Sequence, residues 1–266
     1  MRYIFMLLLL FATPAFACGP DSNCVIGDRF YRIAMPEGHD GKTPVGALVW
    51  VHGYRGTAMG VMRNGNLRRM VSDAGLALIA VQGVNGSWNL PYGPRTFNST
   101  GAAEFTYFNA VLDDAATRFP IDRNRIIAAG FSAGGMMVWN LACSNPDNFA
   151  GFIPMSGTFW LKPPKSCVGP ASSIVHIHGD ADRTVPLRGR TIGETKQGEV
   201  ADALAAYSAF GKFGASKPSK SGQLTCQNRD NAKGEILEFC LFPGGHSFRT
   251  EYLRYGIKRL RAAGQI

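Results

Sequence analysis

Apolar positions along the chain fall into short unbroken runs separated by stretches of helical periodicity. Val45–Val51 and residues 76–81 are nearly continuous apolar runs, as expected of parallel strands covered on both faces. Residues 125–129, 149–155 and 173–178 read the same way, and residues 29–35 alternate like an early strand. Between them, residues 59–74, 102–119 and 136–142 predict helices. In residues 199–213, Val200, Leu204, Tyr207 and Phe210 share one helical face, and residues 250–263 predict a final amphipathic helix. Residues 224–228 and 235–242 predict two strands around a polar turn at 229–234. Strand and helix in turn with short links predict an α/β fold, a doubly wound and mostly parallel sheet.

Composition narrows the class. Of 266 residues, 45% are hydrophobic and 18% charged, the balance of an ordinary globular protein. The net charge of +9 is spread along the chain without a dense basic run, so it predicts a solvated surface and no nucleic-acid partner. Met1-Arg2, the apolar run 4–11 and Ala15-Phe16-Ala17 have the layout of a signal peptide cut before Cys18. That run is too short to span a bilayer, which takes about 20 residues. The reading is a signal peptide over 1–17 and one catalytic domain over 18–266, monomeric, secreted or periplasmic. Six cysteines in an exported chain point to disulfides. The local pairs expected are Cys18 with Cys24, Cys143 with Cys167, and Cys226 with Cys240. Neither C-x-x-C nor H-E-x-x-H occurs, so no metal or other cofactor is expected.

The candidate chemistry centres on Gly130-Phe-Ser-Ala-Gly134, set between an apolar strand and a helix-forming stretch. That is the layout of the nucleophile elbow of α/β-hydrolases, in which a sharp turn lifts a serine hydroxyl above the sheet. Ser132 is the candidate nucleophile. A serine hydroxyl needs a base and a group to orient that base, and in this fold they follow in the order acid, then histidine. His246, after Gly244-Gly245, is the base candidate because the other four histidines precede the acid region. His52, His176 and His178 lie in or at the ends of apolar strands and read as framework histidines. Asp180 and Asp182 compete for the acid, and either could simply form the turn after its strand. The segment 178–186 is similar to the H-G-x-x-D-x-x-V-P stretch of many α/β-hydrolases, which favours Asp182. The oxyanion donors expected are the backbone N–H groups of Ala133 and of Tyr54, the latter in the loop after His52-Gly53.

Taken together, His52-Gly-Tyr54, Gly86-Ser-Trp-Asn89, Ile121-Asp-Arg-Asn-Arg-Ile126, the serine motif through Gly135, the 178–186 segment and Gly244-Gly-His246 resemble the secreted polyhydroxybutyrate-depolymerase and feruloyl-esterase family. The resemblance covers nearly all of the chain after residue 17 and implies a serine esterase using Ser132, Asp182 and His246. The chain departs from the family in having Ser87 and Tyr54 at positions where members often carry cysteines. No separate polymer-binding domain is evident, so small esters and soluble oligomers are as plausible as polymers. The expected reaction is hydrolysis of hydroxyalkanoate oligomers, with feruloyl or acetyl xylan esters as the alternative.

Specificity is expected from loop aromatics, with Trp88, Tyr92, Phe159 and Trp160 as candidates for an apolar acyl wall. Two rivals remain: a small peptidase, and a binding protein that kept the fold but lost the chemistry.

Overall fold

The computed structural model describes residues 18–266; the proposed signal peptide lies outside them. In chain order the strands are β1 Cys24–Ile26, β2 Arg29–Ala34, β3 Val45–Val51, β4 Ala77–Val81, β5 Ile121–Phe131, β6 Gly151–Met155, β7 Ile174–Gly179, β8 Arg190–Ile192, β9 Thr195–Gln197, β10 Lys217–Ser221, β11 Leu224–Asp230 and β12 Ile236–Phe242. The helices are α1 Ala58–Arg63, α2 Gly65–Asp73, α3 Ala102–Arg118, α4 Ala133–Ser144, α5 Val200–Gly211 and α6 Thr250–Ala262. Ten strands form one sheet in the order β1-β2-β4-β3-β5-β6-β7-β12-β11-β10, and β8 pairs with β9 in a separate ribbon. From β4 to β12 the pairing is parallel, while β1–β2, β2–β4, β12–β11 and β11–β10 are antiparallel.

The period of two along each strand divides the core into two layers. Ala47, Val49 and Val51 of β3 and Ile126 and Ala128 of β5 face the layer that holds α3, α4 and α5. Leu48, Trp50, Ile127 and Ala129 face the opposite layer, with α1, α2 and α6. Burial on both faces is why the central strands read as unbroken apolar runs.

The stretch predicted as one helix over 59–74 is two. Asn64 ends α1, and its side-chain oxygen accepts the Leu67 N–H at 3.1 Å, capping α2. The three expected disulfides are formed. Cys226 and Cys240 face each other directly across β11 and β12, and Cys143–Cys167 ties the end of α4 to the loop before β7.

Candidate active site

Ser132 is the single residue between β5 and α4, with φ 60° and ψ −122°, a conformation that L-residues rarely adopt. Strain of this kind costs on the order of 1–3 kcal/mol and persists only where the surroundings enforce it. The Ser132 N–H donates to the Met155 carbonyl at 3.0 Å, and the Ser132 carbonyl accepts the Met136 N–H at 3.0 Å, starting α4. Glycine is required on both sides. A Cβ on Gly130 would stand 2.6 Å from the Gly134 backbone, and one on Gly134 would collide with the Val51 carbonyl.

The strand β7 delivers the acid loop. Asp182 is 5% exposed, and its carboxylate is fully engaged. Oδ1 accepts the N–H groups of Thr184 and Val185, both at 2.8 Å, and Oδ2 accepts from His246 Nδ1 at 2.7 Å. Burial alone would push the Asp182 carboxyl up. The bonds from His246, Val185 and Thr184 outweigh it and hold the group below the usual carboxylate range. Because a carboxylate only accepts, the His246 proton is on Nδ1, which leaves Nε2 with a free lone pair. The His246 ring packs on Phe131, the residue before the serine, with ring centroids 4.5 Å apart. Ser132 Oγ and His246 Nε2 hydrogen-bond to no partner among the described residues.

Asp180 has a different task. Its Oδ1 accepts the Gly244 N–H at 3.0 Å, and the Ala181 N–H donates to the Gly244 carbonyl at 2.9 Å. Asp180 therefore holds the backbone of the histidine loop, while Asp182 holds the imidazole.

The two expected oxyanion donors, Ala133 N–H and Tyr54 N–H, are committed to no protein acceptor among the described residues. Ala133 is the first residue of α4, where N–H groups lack intrahelical partners and the helix dipole favours negative charge. Gly53 brings the other loop up to Ser132, since a Cβ there would lie 3.5 Å from the Ser132 Cβ. His52 fixes that loop. Its Nε2 accepts the Gly83 N–H at 3.0 Å, so Nδ1 carries the proton and donates to the Gly53 carbonyl at 2.8 Å. Burial lowers the His52 pKa and keeps the ring neutral.

The four aromatics expected to form an acyl wall differ in exposure. Trp88 is 4% exposed, donates Nε1–H to the His52 carbonyl at 2.8 Å, and packs on His52 and Phe108. It braces the loop after β3, which carries Tyr54. Phe159 is also 4% exposed, with its ring 5.7 Å from Trp139 in the core. Tyr92 and Trp160 remain partly exposed and belong to one assembly. The Tyr92 carbonyl accepts the Thr195 hydroxyl at 2.8 Å, and Trp160 pairs with Gln197 by a backbone bridge. The β8–β9 ribbon behind them was not expected from the sequence, although Gly193-Glu194 between Ile192 and Thr195 is a short hairpin signal. Tyr54 is 49% exposed, with the Arg55 and Arg95 guanidinium carbons 5.4 and 5.9 Å from its ring centre.

A serine at a strained strand-to-helix turn, an acid after β7 and a histidine after β12 are positioned on a mostly parallel sheet with helices on both faces. Solved structures share this architecture. The chain superposes on the acetyl xylan esterase from Aspergillus awamori with a TM-score of 0.63 at 12% identity, covering 94% of this chain and 97% of that one. A Bacillus cereus carboxylesterase superposes with a TM-score of 0.59 at 15% identity, covering 89% and 95%. The chain has the α/β-hydrolase fold. Residues 98–200 match the phospholipase/carboxylesterase family model. A putative esterase, NocK, from Nocardia uniformis subsp. tsuyamanensis is 34% identical over 170 residues, 60% of this chain; the match spans 47% of the length of that protein. A probable feruloyl esterase C from Aspergillus flavus is 24% identical over 243 residues, 86% of this chain and 82% of that one.

Proposed function

We propose that the protein is an exported serine esterase that hydrolyses carboxylic esters, with aromatic-acyl esters of the feruloyl type as the favoured substrates. The Asp182–His246 bond of 2.7 Å carries the reading, because it leaves a lone pair on Nε2 of a ring packed on the residue before Ser132. Ser132 attacks the ester carbonyl while His246 Nε2 takes its proton. The N–H groups of Ala133 and Tyr54 receive the oxyanion. His246 then returns the proton to the leaving alcohol, and water releases the acyl group by the same steps. The gap between serine and histidine in the resting enzyme closes when substrate binds, as catalytic hydrogen bonds in free enzymes often do.

The feruloyl preference draws on the relatives named feruloyl esterases and on the partly exposed Trp160 and Tyr92, which suit a flat acyl ring. It stands ahead of the hydroxyalkanoate oligomers expected from the sequence. The place proposed for the alcohol part is an open groove of about 700 Å³ along residues 94–100, whose Arg95 guanidinium carbon lies 5.9 Å from the Tyr54 ring centre. Three disulfides fit an oxidising compartment.

A panel of methyl ferulate, 3-hydroxybutyrate oligomers and p-nitrophenyl acetate, run beside fluorophosphonate labelling, tests the reading. The expected result is labelling at Ser132 and the highest kcat/KM on methyl ferulate. An enzyme that labels but acts only on the oligomer would return the assignment to hydroxyalkanoates. A protein that neither labels nor turns over would be a binding protein on a hydrolase fold.

A further inference from the structure

Behind the acid loop, four buried groups form one hydrogen-bonded line that the esterase reaction as written above does not use. Trp139 of α4 donates Nε1–H to His176 Nδ1 at 3.0 Å. His176 Nε2 lies 2.9 Å from His178 Nδ1, and His178 Nε2 lies 2.8 Å from the Val185 carbonyl. Trp139, His176 and His178 are all fully buried. Both histidines project from β7 on the α4 side, and His176 lies in register with Phe239 of β12, their ring centroids 5.5 Å apart.

The proton inventory permits one direction. An indole N–H only donates, so His176 Nδ1 is an acceptor and its proton is on Nε2. That proton points at His178 Nδ1, which makes His178 a second Nε2–H tautomer. A carbonyl only accepts, so the far end of the line demands the same arrangement. An added proton on either ring would face another donor, and burial opposes the charge as well.

The line ends at the acid. Val185 is held at both ends, its N–H on Asp182 Oδ1 and its carbonyl on His178 Nε2. The same His178 nitrogen stands 3.6 Å from Asp182 Oδ2, the oxygen that accepts from His246. We infer that His178 is a positioning residue for Asp182, with His176 and Trp139 fixing its tautomer so that an N–H faces the acid loop. A hydrophobic residue of equal size would fill the space without presenting that N–H, and the Val185 carbonyl would be left buried and unpaired.

The inference rests on the esterase reading, so its test has one arm that needs no turnover. In the intact protein, histidine ¹⁵N spectra are expected to report His176 and His178 as neutral Nε2–H tautomers from pH 8 to pH 6. The His246–Asp182 bond should give a strongly deshielded Nδ1–H proton signal. His178→Leu is expected to shift or lose that signal and to lower kcat by roughly 10- to 100-fold with KM nearly unchanged, the scale of one lost buried hydrogen bond. His178→Gln, which keeps a donor toward Val185, should retain the signal and recover most of kcat. An Nδ1–H tautomer in the wild-type protein would overturn the inference even if His178→Leu fails to fold. So would an unshifted His246 signal in His178→Leu, or equal losses in the two variants. A protein inactive on every ester, with these signals as expected, would overturn the esterase reading and leave the positioning of Asp182 intact.

Discussion

Asp180 and Asp182 stand two residues apart on one loop and hold different parts of the same histidine segment. Asp180 Oδ1 accepts the Gly244 N–H at 3.0 Å, and Asp182 Oδ2 accepts the His246 Nδ1–H at 2.7 Å. Asp182→Asn should lower kcat by roughly 10⁴, since an amide facing Nδ1 upsets the histidine tautomer. Asp180→Asn keeps an oxygen for Gly244 and should cost less than about tenfold. Steady-state kinetics on one activated ester checks the ranking, and a reversed order would move the acid role to Asp180.

Ser132→Ala should abolish ester turnover, with a loss on the order of 10⁶. Alanine has no easier access than serine to the φ of 60° at this turn, so the strain remains and thermal stability should change little. Residual activity above a hundredth of wild type would remove Ser132 from the role.

Trp88 and Trp160 should separate by phenotype. Trp88→Ala removes a buried indole and its bond to the His52 carbonyl, so it should destabilise the fold by about 3–5 kcal/mol and slow all esters alike. Trp160→Ala should leave stability within about 1 kcal/mol while lowering kcat/KM on methyl ferulate more than on p-nitrophenyl acetate. Equal effects of Trp160→Ala on the two esters would take Trp160 out of acyl recognition.

Stability should fall in mild acid. His52, His176 and His178 are kept neutral chiefly by burial, so their folded-state pKa values lie below those of the unfolded chain, near 6.5. Below that pH the unfolded chain binds protons that the folded one does not. Each histidine then removes about 1.4 kcal/mol per pH unit until its own folded value is reached. Asp182 acts in a lower window, because its depressed pKa adds stability above the ordinary carboxylate range, about pH 4, that is lost on further acidification. Denaturant midpoints between pH 8 and pH 5 check the histidine part, and a flat profile would contradict it.

The Cys226–Cys240 bond joins facing residues of β11 and β12, and β12 ends four residues before His246. Replacing both cysteines by serine should cost roughly 2–4 kcal/mol. It should also lower kcat by loosening the strand from which the histidine loop departs. Chemical denaturation and kinetics on the double variant measure both effects.

What the sequence made legible follows from burial and from loop chemistry. β3 and β4 were readable because both of their faces are covered, whereas β10, Lys-Pro-Ser-Lys-Ser, is polar and mostly exposed at the sheet edge and carries no apolar pattern. Ser132, Asp182 and His246 stood out because each closely follows a strand, with a glycine within three residues. His176 and His178 read as framework histidines, and they are buried in the framework. Their directed connection to the acid depends on Trp139, which is 37 residues away, and no local pattern encodes such a pairing. The burial of Trp88 and Phe159 is likewise tertiary, set by Phe108 and Trp139 from other elements. The break at Asn64 did have a local signal, a capping residue ahead of Leu67, hidden within an apolar periodicity that continues through it.

The segment at residues 86–88 is fastened to the loop that carries Tyr54 at two points. The Arg55 N–H donates to the Gly86 carbonyl at 2.7 Å, and the Trp88 indole donates to the His52 carbonyl. Beyond Trp88 the same loop runs outward to the exposed Phe97, on the rim of the groove. Its inner edge is thereby fixed to the loop that carries Tyr54, while its outer edge is held within itself, by the Tyr92 N–H on the Phe97 carbonyl at 3.1 Å and the Thr96 hydroxyl on the Leu90 carbonyl at 2.6 Å. If the groove takes the alcohol part as proposed, exchanges between residues 93 and 99 would change which alcohol is accepted while leaving the bonds that hold the Tyr54 loop in place.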